Sequence, residues 1–231
     1  ARAEGIPVEV VIVADDVALK DTVPPDRRRG IAGTVLVHKI TGAAAEAGLP
    51  LAEVAAIARN AAAQVGSMGV ALGACTLPAV GKPGFALEGD EIEIGLGIHG
   101  EPGVRRAKID SADALVSAVV TMIAEDRGLA AGQPVALLVN GLGATPPMEL
   151  AVIQRAALAD LRARGLQVAR LWSGTLLSAL DMPGFSLSVL PLDAQSMAYL
   201  DAPTTAPAWP GPGLLNTEPL RLPATAAPEP S

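Results

Sequence analysis

Few residues in this 231-residue chain could do chemistry, and they are easily named: His38, His99, Cys75, the basic run Arg27-Arg28-Arg29, and the glycine-rich turn Asn140-Gly141-Leu142-Gly143-Ala144-Thr145. His99 has the most telling surroundings. In Glu91 to Ile98 the residues Ile92, Ile94, Leu96 and Ile98 alternate with Glu91, Glu93, Gly95 and Gly97, the period of a strand with one apolar face. His99 ends that run, and Gly100, Pro102 and Gly103 turn the backbone directly after it. The spacing therefore places His99 at the rim of a sheet. Gly97 and Gly100 leave both of its flanks without bulk, so a small molecule could approach the ring. A turn histidine without a role and a ligand-binding histidine at a strand end both fit this pattern.

The other candidates read more plainly. His38 lies inside a helix beside Lys39 and reads as structural, and Cys75 reads as a small core residue. The backbone amides of Asn140–Thr145 could hold an anion between a strand and a helix. That turn lacks the third glycine of a dinucleotide fingerprint and the lysine of a Walker loop, so it reads as a tight βα turn. Arg27–Arg29 could grip phosphate or form a solvated loop.

Composition narrows the class. Hydrophobic residues make up 50% and aromatics 2%, so the chain can bury a core built from Ala, Val, Leu and Ile. A formal charge of -7 argues against nucleic-acid binding, which needs a basic face. No apolar run reaches the roughly 18 residues of a membrane span. One cysteine excludes a disulfide framework and a CxxC metal site. The expected location is cytoplasmic.

The elements that would carry these residues follow from capping and periodicity. Ala1–Gly5 reads as the last turn of a helix, and Val8–Val13 as a buried strand with Asp15 and Asp16 at its end. Helices are expected from Ile31 to Ala47 and from Leu51 to Val65, then a strand from Ser67 to Cys75. Asp110 or Ser111 should cap a helix running to Arg127-Gly128. Strands are expected at Pro134–Asn140, Gln167–Leu171 and Phe185–Leu190. Thr145 should cap a helix to about Arg164, Thr175–Leu180 should be a short helical segment, and Asp193 should cap a last helix near Asp201. This alternation predicts an α/β fold, with βαβ units in a mixed sheet and helices on both faces. The expected divisions are residues 1–80, 81–201 and a Pro/Ala-rich tail at 202–231 that stays extended, with Trp209 or Leu214-Leu215 pinning parts of it.

Several blocks together resemble the dihydroxyacetone (glycerone) kinases. They are Arg28-Arg29-Gly30-Ile31-Ala32-Gly33-Thr34-Val35-Leu36-Val37-His38-Lys39-Ile40, Met68–Leu72, Pro78–Phe85, Gly95–Gly103, Leu138–Pro146 and Leu180–Ser186, in that order. The resemblance covers about residues 1 to 210 and is to the substrate-binding K domain, not the nucleotide-binding L domain. It implies the K-domain α/β fold with part of the N-terminal subdomain missing.

The resemblance also implies a mechanism. His99 would attack the carbonyl carbon of dihydroxyacetone and hold it as a covalent hemiaminal for phosphoryl transfer. An imidazole near its reference pKa of about 6.5 is largely neutral at pH 7, so the nucleophile is available. Glycerol has no carbonyl and would not be captured. The resemblance places ATP and Mg²⁺ on a partner L domain or subunit, leaves this chain without a cofactor or metal of its own, and implies a homodimer. The family's Gly-Ser-Gly-His and Thr-Gly-Asp stretches, whose His and Asp bind substrate and act as acid and base, are not found here. The expectation is a chain that is catalytically silent by itself, as a remnant of a kinase or as a ligand-sensing regulator.

Overall fold

A computed structural model describes residues 1–79, 81–97, 101 and 103–215. Its centre is a six-stranded mixed sheet, built from β1 (Gly66–Ala71), β4 (Glu91–Ile94), β5 (Arg105–Lys108), β6 (Pro134–Gly141), β7 (Gln167–Gly174) and β8 (Gly184–Pro191). The strand order is β5-β4-β1-β8-β6-β7. A two-stranded ribbon, β2 (Thr76–Leu77) with β3 (Lys82–Pro83), stands apart. Five α-helices cover the sheet: α1 (Thr34–Glu46), α2 (Leu51–Gln64), α3 (Ala112–Arg127), α4 (Pro147–Ala163) and α5 (Ala194–Asp201).

The strand faces explain the layering. Along β6, Val135, Leu137 and Val139 enter one core with residues of α3 and α4, while Ala136 and Leu138 enter a second core with residues of α1, α2 and α5. A strand buried on both faces needs an unbroken apolar run, and β6 supplies one. Only β6 and β7, joined through α4, are parallel, and every other pairing in the sheet is antiparallel. The described residues thus form one βαβ unit where several were expected. The division expected at residue 80 falls within this one sheet, because β1 lies between β4 and β8.

Helix ends behave as their residues dictate. Ser111 Oγ accepts from Ala114 N at 3.3 Å, and Gly128 ends α3 in the left-handed region. Asp193 and Ser196 form a reciprocal capping box on α5. Thr145, in contrast, does not cap α4. Its hydroxyl donates to Gly184 O at 2.6 Å and accepts from Gly184 N at 2.8 Å, tying α4's entry to β8.

Four further expectations are corrected. Val8–Val13 is not a strand: among the described residues no strand runs along it, and the chain joins β1 only after it, where Asp16 bridges Ser67 and Ser67 N donates to Asp15 O. Its side chains still alternate, Val11 and Val13 packing inward while Val10 and Ile12 are 64% and 74% exposed. Thr175–Leu180 is not helical, because long-range bonds take its amides. Leu176 N and Leu177 N donate to the Asn140 side chain, and Ala179 N to Leu142 O. The strand expected from Glu91 to Ile98 ends at Ile94, where Gly95 at φ 72° turns the chain. Likewise the strand expected to Cys75 ends at Ala71. The strand β5, too short and too charged to announce itself, was not expected.

The tail is extended as far as residue 215 and partly pinned. Trp209 lies against Trp172 with ring centroids 4.9 Å apart, Trp172 Nε1 donates to Gly211 O at 2.8 Å, and Leu171 N donates to Gly213 O at 2.8 Å. Leu214 is exposed and pins nothing.

Candidate functional site

His99, with Ile98, Gly100 and Pro102, lies outside the described residues, so the site is built from what surrounds its loop. The loop leaves the sheet at Gly95, whose N–H donates to Gly69 O at 2.7 Å. It returns through Gly103, whose N–H donates to Glu93 Oε1 at 3.0 Å, and through Val104, whose N–H donates to Ile94 O at 2.9 Å. Glu93 was expected on the face opposite Ile92 and Ile94. It is 5% exposed, and its other oxygen, Oε2, is buried without a hydrogen-bond partner.

Two adjacent carboxylates, Asp15 and Asp16, lie where the N-terminal segment joins β1 at Ser67. Asp15 is fully buried; Oδ1 accepts from Ile31 N at 2.7 Å and Oδ2 from Gly33 N at 2.8 Å. These bonds fold the approach to α1 around Asp15. Burial raises the Asp15 carboxyl above its ordinary value, while bonds from Ser67, Ile31 and Gly33 work against that shift. Asp16 is also fully buried. Oδ1 caps the single 3-10 turn Val17–Leu19 through Ala18 N at 3.0 Å, and Oδ2 accepts from Arg29 Nε at 2.8 Å. Its carboxyl is pushed up to about 6, chiefly by burial, with the Arg29 charge opposing. Arg29 Nη2 also donates to Gly95 O at 2.7 Å, so one guanidinium joins Asp16 to the start of the His99 loop.

The basic run therefore divides. Arg27 is exposed, Arg29 serves the loop, and Arg28 Nη1 donates to both carboxylate oxygens of Asp126 on α3, at 2.9 and 3.0 Å. Two of its three charges are spent within the fold, which corrects the readings of a phosphate grip and of a solvated loop. The Asn140–Thr145 turn is also spent internally, since Leu142 N donates to Gly184 O and Ala144 N to Met182 O. Cys75 is buried, in accord with a core role. His38 is exposed on α1 and lines a cavity of about 870 Å³ between that helix and residues 202–209. The lining of this cavity contains no described residue from 91 to 103.

Sequence reasoning missed Asp15, Asp16, Arg29 and Glu93 as parts of the site. The only signal available was an acidic doublet ending an apolar run, and a doublet alone does not say which arginine it meets. Among the described residues no group of three or more His, Cys, Asp or Glu could hold a metal ion, and no helix is long and apolar enough to cross a membrane.

An α/β sheet with a histidine-bearing glycine loop braced by buried carboxylates is the kind of framework that presents a small-molecule site at a sheet's end. The chain belongs to the Dak1 domain family, whose model matches residues 1–208. It is 46% identical to a putative 3,4-dihydroxy-2-butanone kinase of Solanum lycopersicum, over 99% of this chain and 39% of that protein. It is 46% identical to the dihydroxyacetone-binding subunit DhaK of a PTS-dependent dihydroxyacetone kinase from Listeria innocua, over 90% of this chain and 64% of the subunit. Among solved structures it superposes on the dihydroxyacetone kinase operon co-activator Dha-DhaQ with a TM-score of 0.85 and 35% identity, covering 91% of this chain and 65% of that one. The dihydroxyacetone kinase of C. freundii gives 0.84 and 33%, covering 98% and 41%. The chain thus spans about two fifths to two thirds of the length of these relatives.

Proposed function

We propose that this chain is the substrate-binding part of a dihydroxyacetone kinase, and that His99 captures the ketone covalently. The observation that carries the reading is the Dak1 match over residues 1–208 together with the intact Gly97–Gly103 block around His99. A neutral imidazole nitrogen adds to the carbonyl carbon, the carbonyl oxygen becomes a hydroxyl, and the ring gives up its other N–H proton. Nothing is lost, so the adduct weighs the sum of protein and ketone. Capture selects by reaction class: a polyol with the same hydroxyls but no carbonyl cannot form the bond. Holding the substrate in one orientation supplies the positioning that phosphoryl transfer requires.

ATP and Mg²⁺ belong, in this reading, to a separate L domain or subunit, and the chain pairs with a second copy. The histidine and aspartate that serve as acid and base in the family would have to come from outside this sequence. The isolated chain binds but does not turn over. Likeness to the Dha-DhaQ co-activator supports a second reading, in which the same adduct serves a ligand sensor.

Intact-mass spectrometry with dihydroxyacetone, and with glycerol as control, tests the proposal. The expected result is a gain of one ketone, absent with glycerol and absent in His99→Ala. Adduct on the His99→Ala protein would remove the site assignment. Adduct with phosphorylation on adding an L partner and ATP supports the kinase, and adduct without phosphorylation supports a sensor or a kinase remnant that lacks its acid and base.

A further inference from the structure

Hydrogen bonds that hold the return of the His99 loop come from the sheet itself, through Glu93 and Ile94. Its departure is held differently. Arg29 comes from a segment 66 residues away in sequence from Gly95, yet its guanidinium is the side chain that reaches the Gly95 carbonyl. We propose that Asp16 and Arg29 are positioning residues that fix the His99 loop at its departure from the sheet, and that their pairing sets how readily the chain captures its ketone.

Three observations converge on this. First, Asp16 cannot move away: it is fully buried, its N–H donates to Arg29 O at 3.1 Å, and it forms a bridge with Ser67 of β1. A carboxylate fixed in this way orients its partner, because Oδ2 takes both Nε, at 2.8 Å, and Nη2, at 2.7 Å. Second, the same Nη2 donates onward to Gly95 O, so the strut is continuous from β1 to the loop. Third, the guanidinium reaches further along the loop. A Cβ on Gly97 would lie 3.0 Å from Arg29 Nη1 and would overlap the Glu101 carboxylate. Gly97 is thus pressed between Arg29 and Glu101, and its N–H donates to Glu101 O at 3.4 Å. His99 lies two residues from each of these glycine and glutamate positions.

This inference rests on the reading of His99 as the ketone-binding residue. Arg29 acts through the loop and is not itself assigned a contact with substrate. Lysine at position 29 could pair with Asp16 as a point charge but could not hold Asp16 and Gly95 O together with one planar fork.

The test combines hydrogen exchange with adduct formation in Arg29→Gln, Arg29→Lys and Asp16→Asn, using the whole chain. Exchange is read on peptides covering residues 95–104, where Gly95, Gly97, Gly103 and Val104 carry hydrogen-bonded amides, and on β6 and β8 as controls. The expected result is exchange in the loop faster by about tenfold or more in Arg29→Gln and Asp16→Asn, less in Arg29→Lys, with β6 and β8 unchanged. The dihydroxyacetone concentration for half-maximal adduct should rise in the same order while the maximal stoichiometry stays at one. Loop exchange within about twofold of wild type in both variants would overturn the proposal, and so would loop and sheet opening together in all three. Absence of adduct on the wild-type chain would instead remove the functional reading, while the exchange data would still decide whether the strut holds the loop.

Discussion

Asn140 offers the sharpest test of how this fold holds its loops. It closes β6, is fully buried, and spends its whole amide on neighbours. Oδ1 accepts from Leu176 N and from Leu177 N, each at 2.9 Å, and Nδ2 donates to Leu177 O at 2.8 Å and to Ser186 Oγ at 3.2 Å. Asn140→Leu keeps the number and branching of the side-chain heavy atoms and removes all four bonds. The two amides at 176 and 177 then lose their acceptor in a site where water does not readily replace it. Each buried group left unsatisfied costs about 1–3 kcal/mol, so the two amides alone cost about 2–6 kcal/mol. The remaining partners, Leu177 O and Ser186 Oγ, add less, since a carbonyl tolerates a missing donor better than an amide tolerates a missing acceptor. The expected loss is about 4 kcal/mol, a large part of the 5–15 kcal/mol that typically holds a domain together. Urea unfolding followed by circular dichroism measures it. Ser186→Ala removes one long bond and should cost about 1 kcal/mol or less. A loss below about 1 kcal/mol for Asn140→Leu would refute the view that this side chain replaces a helix in ordering residues 175–180.

Two further outcomes follow from burial and charge. Ile12→Thr should cost less than about 1 kcal/mol in urea unfolding, because the side chain is 74% exposed, whereas Leu187→Ala, fully buried in β8, should cost about 2–5 kcal/mol; a comparable loss at both positions would restore Val8–Val13 as a buried strand. Asp16 binds its proton more tightly in the folded chain than in the unfolded one, so its contribution is fully present below pH about 4 and is lost as pH rises through about 6. The shift of about two units corresponds to about 3 kcal/mol, with Asp15 raised in the same direction. Urea midpoints between pH 4.5 and 7.5 should therefore fall in the wild type and change less in Asp16→Asn, and equal slopes in the two proteins would contradict the assignment. The carboxyls of Asp181, Asp193 and Asp201, held low by bonds from Thr76, Ser196 and Arg170 respectively, lose their contribution only in more acidic solution and do not enter that window.

What could be read from the chain alone divides along the range of the forces involved. Ser111, Gly128 and Asp193 mark helix ends through contacts within a few residues, and the helices they bound lie where the sequence places them. The apolar run of β6 identifies a strand buried on both faces without reference to its neighbours. Failures occur where a distant group outbids the local preference. Thr145 is a good capping residue, but Gly184 offers its hydroxyl both a donor and an acceptor. Leu176 and Leu177 favour a helix, but Asn140 takes their amides from 36 and 37 residues away. Val8–Val13 has the composition of a strand, yet a strand is defined by its neighbours, and no described neighbour runs along it.

The candidate site obeys the same rule. His99 stands out in the sequence because the glycines on either side of it are a local signal, and it lies outside the described residues. Asp16 and Arg29 were not legible there, because their meaning lies in a geometry joining residues 16, 29 and 95, and Glu93 was not, because its carboxylate bonds the amide of Gly103 ten residues on. A buried ion pair is also a poor investment in stability alone, since desolvating two charges offsets most of their attraction. Arg28 with Asp126 shows that this fold tolerates one such pair simply to fasten α3, at 6% and 9% side-chain exposure. Arg29 differs in carrying its charge onward to a backbone carbonyl at the mouth of a loop. If the loop behaves the same without that bond, then Asp16 and Arg29 fasten the fold as Arg28 and Asp126 do. If the loop alone loosens, the same kind of pair has been placed to hold the start of the His99 loop still.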